Sequence, residues 1–285
     1  MKTEGQSRIF VTILLLVPAL LVFVGLFVAP LSLFLVESFW KATLFRVVPA
    51  FSGVNYIKVY TDYRDVLGRT LMIGLSVATI TTVFAFFFSY AVRFVLKRSG
   101  EIVLLIALMT MFGGYLVKIY SWRTILGLDG ILNSALLASG LISQPLEILL
   151  FNRGALIVAL THYLLPLAIL PIYGAMRNID ATTISAARDL GAGWWQALRD
   201  IVLPQVLSGA LASFAMVFLL STGDYVTPAM VGSPGDAMFG NFIQAQFGLR
   251  MNTPMGSAMS FSLIASCVAI LVLIGGIARR TLQPR

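Results

Sequence analysis

Six apolar runs, each near the length that crosses a bilayer, constrain this sequence more than any other feature. A helix needs roughly 20 apolar residues to span the hydrocarbon. The run Ile9–Val36 contains no charge at all. Others cover about Thr70–Val92, Ile102–Val117, Gly154–Met176, Val206–Gly223 and Met255–Ala278. The third is the weakest, because Lys118 cuts it short; that side chain can snorkel to the interface, with Tyr115, Tyr120 and Trp122 as aromatic anchors. Composition agrees: 59% of residues are hydrophobic, 11% are charged, and mean hydropathy is +0.92. A soluble domain carries about 25% charged residues, so the natural solvent for this chain is a bilayer. The expected fold class is an all-α integral membrane protein with six transmembrane helices.

The first run is too long for the roughly 7–15 apolar residues of a signal peptide, and no small-x-small cleavage site follows it. It reads as a retained anchor, with Pro18 and Pro30 tolerated because neighbouring helices satisfy the freed carbonyls. One cysteine, Cys267, and one histidine, His162, leave no internal disulfide and no multi-ligand soft-metal site. The net charge of +8 lies mostly in short segments between apolar runs, a topology signal rather than a nucleic-acid groove. With the N-terminus in the cytoplasm, Lys2, Arg8, Arg93, Lys97, Arg98, Arg177, Arg188, Arg199, Arg279, Arg280 and Arg285 lie inside, 11 against 9 on the other face. Six spans then return the C-terminus to the cytoplasm. The expected segments are 1–65, an anchor helix and first periplasmic loop; 66–279, the transport domain; and 280–285, a cytoplasmic tail.

The most informative loop joins the fourth and fifth runs, Arg177–Pro204. Small Ala186 and Ala187 let a partner surface approach closely, and Gly191 and Gly193 let a helix end and the chain turn. Trp194, Trp195 and Leu198 then recur at helical spacing, and Pro204 marks a helix start or a break. Two short helices at an angle are expected. The spacing Ala186-Ala187, three residues, Gly191, nine residues, Ile201-x-Leu203-Pro204 resembles the coupling loop of binding-protein-dependent ABC import permeases. Ser185 stands where that pattern has Glu. The resemblance extends over about Arg69–Ala278 and looks closest to the spermidine/putrescine branch, through Lys118-Ile119-Tyr120, Tyr163–Pro166, Leu170–Tyr173, Gly240–Ile243 and Pro254–Ala258.

The resemblance implies a type I permease whose loop residues Ser185, Ala186, Ala187, Gly191, Ile201, Leu203 and Pro204 meet an ATPase. It further implies a heterodimer of two permeases, two cytoplasmic ABC ATPase subunits and a periplasmic binding protein in the bacterial inner membrane. The chain itself would be no enzyme and bind no cofactor, ATP being hydrolysed by the partners; it has no Gly-x-x-x-x-Gly-Lys-Ser/Thr phosphate loop. Membrane lipid is a partner of such a chain, and nucleic acid is not.

Asp224, Tyr225 and Tyr120 are assigned to the substrate path. An acid beside an aromatic ring suits an ammonium through ion pairing and cation–π contact. Equally, Asp224 reads as an interfacial acid in water or paired with Arg250. His162, mid-span, reads first as a hydrogen-bonding helix contact, and Glu37 and Glu147 as solvated loop acids. The expected cargo is a small cation such as putrescine or spermidine. An opine, an amino-acid derivative or an aminophosphonate fits the same architecture, and an ATP-independent carrier would lack the Ala-Ala-x-x-x-Gly loop.

Overall fold

A computed structural model describes residues 16–43, 46–96 and 98–282. Lys2, Arg8, the first residues of the run from Ile9, Lys97 and Arg285 lie outside the described residues, as do the side chains of Arg98 and Arg279. Among the described residues, five helices are long and apolar enough to cross a membrane: Leu16–Glu37, Arg64–Val95, Arg153–Arg177, Trp194–Thr222 and Thr253–Ala278. We call them spans one, two, four, five and six. A bent pair, Ser99–Phe112 and Tyr115–Ala138, completes the set of six as span three. The architecture is all-α, with one two-residue antiparallel ladder among the described residues, Lys41–Ala42 against Val47–Val48, in the loop after span one.

Span three departs from the uninterrupted run expected over Ile102–Val117. Its helix tightens at Thr110–Phe112, and the chain then turns by 98° before Tyr115. Gly113 and Gly114 supply the turn, both with extended ψ angles that end the helical ladder. Hydropathy cannot register such a turn, because glycine interrupts the backbone without interrupting the apolar run.

Of the three π-turns among the described residues, the one at Ala91–Val95 ends span two with no proline beside it, and the other two share one cause. Span one widens into a π-turn at Val24–Val28 just before Pro30, and span five does so at Leu198–Val202 just before Pro204. In each the last N–H before the proline reaches back five residues, Ala29 to Val24 and Leu203 to Leu198. Proline lacks the N–H and crowds the carbonyl four residues earlier, and the wider turn relieves that crowding. Span five therefore begins at Trp194 and runs through Pro204. The expected pair of short helices is one short helix, Ala181–Asp189, followed by the extended foot of span five.

The chain forms two compact units, Met1–Arg64 with Ile243–Leu263 and Asp65–Phe242 with Ile264–Arg285. In the first, Leu16–Val36 presents every residue outward. In the second, spans two, four and five build the core around Phe218, Leu156, Leu160, Leu164, Ile169 and Ile172, all fully buried. Close approach decides this packing. A Cβ on Gly74 of span two would strike Thr222, and one on Gly209 of span five would strike the Pro171 carbonyl of span four.

Gly209→Ala is therefore expected to destabilise the purified chain by about 1–3 kcal/mol, the range for overpacking a filled core. Gly174→Ala, whose Cβ meets nothing, is expected to leave the melting temperature unchanged or slightly raised. Thermal unfolding of both variants in detergent checks the contrast.

Candidate functional site

Asp180 opens the short helix Ala181–Asp189 by accepting the Thr182 N–H at 2.9 Å. That hydrogen bond, reinforced by the nearby Arg93 charge, holds the Asp180 carboxyl below its ordinary range. The helix stops at Leu190, and Gly191 takes φ +90°, a left-handed conformation that glycine adopts freely. The Gly193 N–H then donates to Gln196 Oε1 at 3.0 Å as the foot of span five starts. The loop is seated on the end of span two: Arg93 donates to the Ile179 carbonyl at 3.2 Å, and Tyr90 meets Trp194 edge-on at 6.3 Å. Ile184 is buried beneath it.

The other face is open. Ser185, Ala186 and Gly191 are exposed, Ala187 is half-buried, and Leu190 is 89% and Trp195 63% exposed. Ile201, Leu203 and Pro204 are half-buried further along the helical foot. The structure thus gathers Ser185, Ala186, Ala187 and Gly191 on one projecting helix and turn. Ile201, Leu203 and Pro204 belong to the π-turn and the start of span five that carry it.

Asp224 follows the end of span five at Gly223. Its Oδ1 accepts the Val226 and Thr227 N–H groups at 2.8 and 3.2 Å, so it caps the short helix Val226–Val231. The Tyr115 hydroxyl is shared between the two carboxylate oxygens at 2.6 and 2.7 Å, and the Thr227 hydroxyl donates to Oδ2 at 2.5 Å. Four donor groups of the same unit therefore hold the carboxylate. Asn241 closes over it: its Nδ2 donates to the Tyr225 carbonyl at 2.6 Å and its Oδ1 accepts the Met238 N–H at 2.9 Å. A Cβ on Gly240 would sit 3.0 Å from the Gly223 and Asp224 carbonyls. That contact accounts physically for the Gly240-Asn241 pair.

Beside this knot lies a hollow of about 400 Å³ lined by Tyr115, Leu160, Tyr163, Leu220, Asp224 and Tyr225. The Tyr115 and Tyr163 rings are 4.7 Å apart, and Lys118 Nζ lies 5.7 Å from the centre of the Tyr163 ring. Tyr120 is not there. It lines a different hollow, of about 800 Å³, with Arg123, Asp129, Glu147 and Phe151. Asn133, fully buried, pins that region by donating to the Gly127 and Leu146 carbonyls and accepting the Leu146 N–H. His162 packs edge-on against Trp122 at 5.6 Å.

Sequence reasoning treated Tyr115 only as an anchor and left Thr227 and Asn133 aside. A lone Tyr announces no partner when the acid it serves lies 109 positions away, whereas Thr227, three positions after Asp224, was within reach of a local reading as a helix-capping pair. Arg153 and Asp236 were missed likewise; they pair at 3.2 Å across the loop before span six. Burial alone would raise the Asp236 pKa, but hydrogen bonds from Ser233 and Arg153 prevail and hold it below the ordinary carboxylate value.

Residues 4–285 match the family described as binding-protein-dependent transport system inner membrane component, and the chain belongs to that family. It is 30% identical over 223 residues to the spermidine/putrescine transport system permease protein PotB of Haemophilus influenzae, covering 76% of this chain and 77% of that one. It is 28% identical over 246 residues to the inner membrane ABC transporter permease protein YdcU of Escherichia coli, covering 82% and 74%. Its fold is similar to that of a bacterial ABC transporter involved in the import of the acidic polysaccharide alginate. That structure aligns with TM-score 0.74 at 14% identity, covering 98% of this chain and 99% of that chain. The protein is thus a multi-pass inner-membrane permease subunit of an ABC importer. It is not an enzyme and holds no cofactor of its own; ATP is hydrolysed by partner subunits.

Ionised Asp236 stabilises the fold above its unfolded pKa of about 3.9, and that contribution is lost as pH falls through the lower folded value. Asp236→Asn is therefore expected to lower the melting temperature at pH 7, with the gap to wild type closing below about pH 4. Thermal unfolding across that range checks the sign. Tyr115→Phe removes one charge-assisted hydrogen bond and is expected to cost about 1.5–3 kcal/mol, measured the same way.

Proposed function

We propose that this permease passes a polyamine such as putrescine or spermidine inward across the membrane. The observation that carries the reading is the hollow in which the Asp224 carboxylate and the faces of Tyr115, Tyr163 and Tyr225 meet. Ammonium groups are attracted to both elements. The carboxylate is held by its own neighbours, so it acts on the cargo chiefly through its charge, and the rings supply the direct contacts. The likeness to a spermidine/putrescine permease supports the same cargo. Tyr120, in its separate hollow, is proposed to meet the cargo earlier on the path.

The assembly we infer contains a second, different permease, two cytoplasmic ATPases and a periplasmic binding protein. Residues 66–279 form the transport domain, between the anchor with its first loop at 1–65 and the tail at 280–285. Both termini are cytoplasmic, which directs the Ala181–Gly191 projection at the ATPases. Its exposed small residues allow close approach, and its seat on Tyr90 and Arg93 passes a push to span two. Alternating access follows when that push reorients the core helices.

One observation favours a second reading. The Lys118 ammonium already lies against Tyr163, next to the hollow, and would welcome the acidic group of an aminophosphonate or amino-acid derivative.

Asp224→Asn keeps size and one acceptor while removing the charge. Uptake of labelled putrescine into proteoliposomes holding the whole complex is expected to fall about ten-fold at subsaturating substrate, which corresponds to about 1.4 kcal/mol. Wild-type uptake by this variant would leave Asp224 a structural cap, and uptake abolished by an aminophosphonate competitor would favour the second reading. For orientation, Leu249→Cys in a Cys267→Ser background is expected to react with an impermeant thiol reagent from outside, and Ala186→Cys is not.

A further inference from the structure

The first unit holds a polar hollow that the transport reading does not use. It measures about 240 Å³ and is walled by Asn55, Lys58, Asp62, Tyr63, Gln246 and Arg250. That is room for about eight waters at roughly 30 Å³ each. Gln246 is 97% buried here (3% exposed), and its Nε2 donates to the Tyr63 hydroxyl at 3.4 Å. Arg250 donates to the same oxygen at 3.4 Å. Lys58 and Arg250 form no ion pair with Asp62 among the described residues, although all three border one small space. Two cations and an acid held around a cleft without neutralising one another suit a ligand that carries both signs.

The position of the hollow points to lipid. Tyr63 immediately precedes span two, which starts at Arg64, and Arg250 lies three residues before span six, which starts at Thr253. The apolar run of span six begins at about Met255, five residues after Arg250, so the hollow that Arg250 walls stands at the depth of the headgroups, on the same side as the charged first turns of span two, Arg64, Asp65 and Arg69. The helix that builds one wall, Val54–Asp62, is amphipathic in an unusual sense. One face is tied inward. Asn55 donates to the Ser38 and Trp40 carbonyls at 2.9 and 2.8 Å, the Tyr56 hydroxyl bonds that of Ser38 at 2.7 Å, and Val59 is fully buried. The outward stripe of the helix is apolar at three-residue spacing, with Val54 44%, Ile57 64% and Tyr60 49% exposed, and Phe51, in the chain just before the helix, is 91% exposed. Lys58 falls between that stripe and the hollow, where a basic side chain meets a lipid phosphate while its stem covers acyl chain.

We propose that this hollow seats the headgroup of an aminophospholipid. Its phosphodiester lies between Lys58 and Arg250 and its ammonium faces Asp62, while the Phe51–Tyr60 stripe rests on the headgroup–acyl boundary. The inference needs only that span six enters the hydrocarbon where its apolar run begins, at about Met255. It uses neither the cargo nor the sidedness proposed above, so its failure would leave the transport reading standing.

The test titrates the purified full-length chain, in its complex, with dioleoyl phosphatidylethanolamine, phosphatidylglycerol or phosphatidylcholine, and counts bound lipids by native mass spectrometry. Wild type is expected to hold phosphatidylethanolamine several-fold more tightly than phosphatidylglycerol. The double change Lys58→Gln with Arg250→Gln is expected to weaken both by about ten-fold, and Asp62→Asn to abolish the preference between them. An unchanged folding transition in all variants keeps the comparison valid. For a variant that unfolds, quenching of a fluorophore at Ile57→Cys by lipids brominated near the headgroup is read instead, with quenching expected. Lipid retention unaffected by the double change, or an Ile57→Cys probe that lipid does not quench, would overturn the proposal. So would a double variant that loses affinity for the periplasmic binding protein while keeping its lipid, because the surface would then belong to a protein partner.

Discussion

In hydrocarbon a backbone N–H or C=O has no water to fall back on, and each one left unpaired costs several kcal/mol. Everything distinctive in this protein is an answer to that constraint. Spans one and five absorb a proline by widening a turn, with the preceding N–H reaching back five residues to a carbonyl. Where the chain leaves the helix outright, backbone bonds from Gly113 to Thr110 and from Lys118 to Gly114 close the gap in span three, and side chains close it at Gly223–Tyr225. Asp224 takes two N–H groups of the next helix, and Asn241 takes the Tyr225 carbonyl.

The same breaks locate the two candidate sites. The turn in span three delivers Tyr115 to the carboxylate, and the end of span five delivers the carboxylate to Tyr115. A charged group can thus stand beside a half-open hollow near the membrane, because its hydrogen bonds are already made. At the other end of spans four and five, Gly191 folds back a helix whose small residues face outward and whose underside rests on span two. The hollow and the projecting loop are then joined by the helical cores that Gly74 and Gly209 let pack closely.

Much of this was legible in sequence. Apolar length located the spans, and the spacing from Ala186 to Pro204 singled out the projecting loop without any coordinates. Two kinds of feature stayed hidden. Hydropathy passes smoothly over Gly113–Gly114, so a 98° turn looked like a weak but straight span. The foot of span five looked like a separate helix because Pro204 reads as a break, whereas the chain widens into a π-turn there and the helix runs on. Side-chain partnerships were the second kind. Asp224 stood out as an acid near an apolar run, but Tyr115 became its partner only through folding, and Tyr120, grouped with it by sequence, lines another hollow. Arg153 and Asp236 were illegible for the same reason.

The central claim is that the Ala181–Gly191 projection is where the force of ATP binding enters this chain. Leu190, 89% exposed at its tip, offers the most direct test. In membranes containing the assembled complex, Leu190→Cys in a Cys267→Ser background is treated with a short bifunctional maleimide, with and without a non-hydrolysable ATP analogue. The account predicts a cross-linked product between this chain and the ATPase subunit, at a yield that changes with nucleotide. A product that never contains the ATPase, from a complex shown to be intact and active, would contradict it.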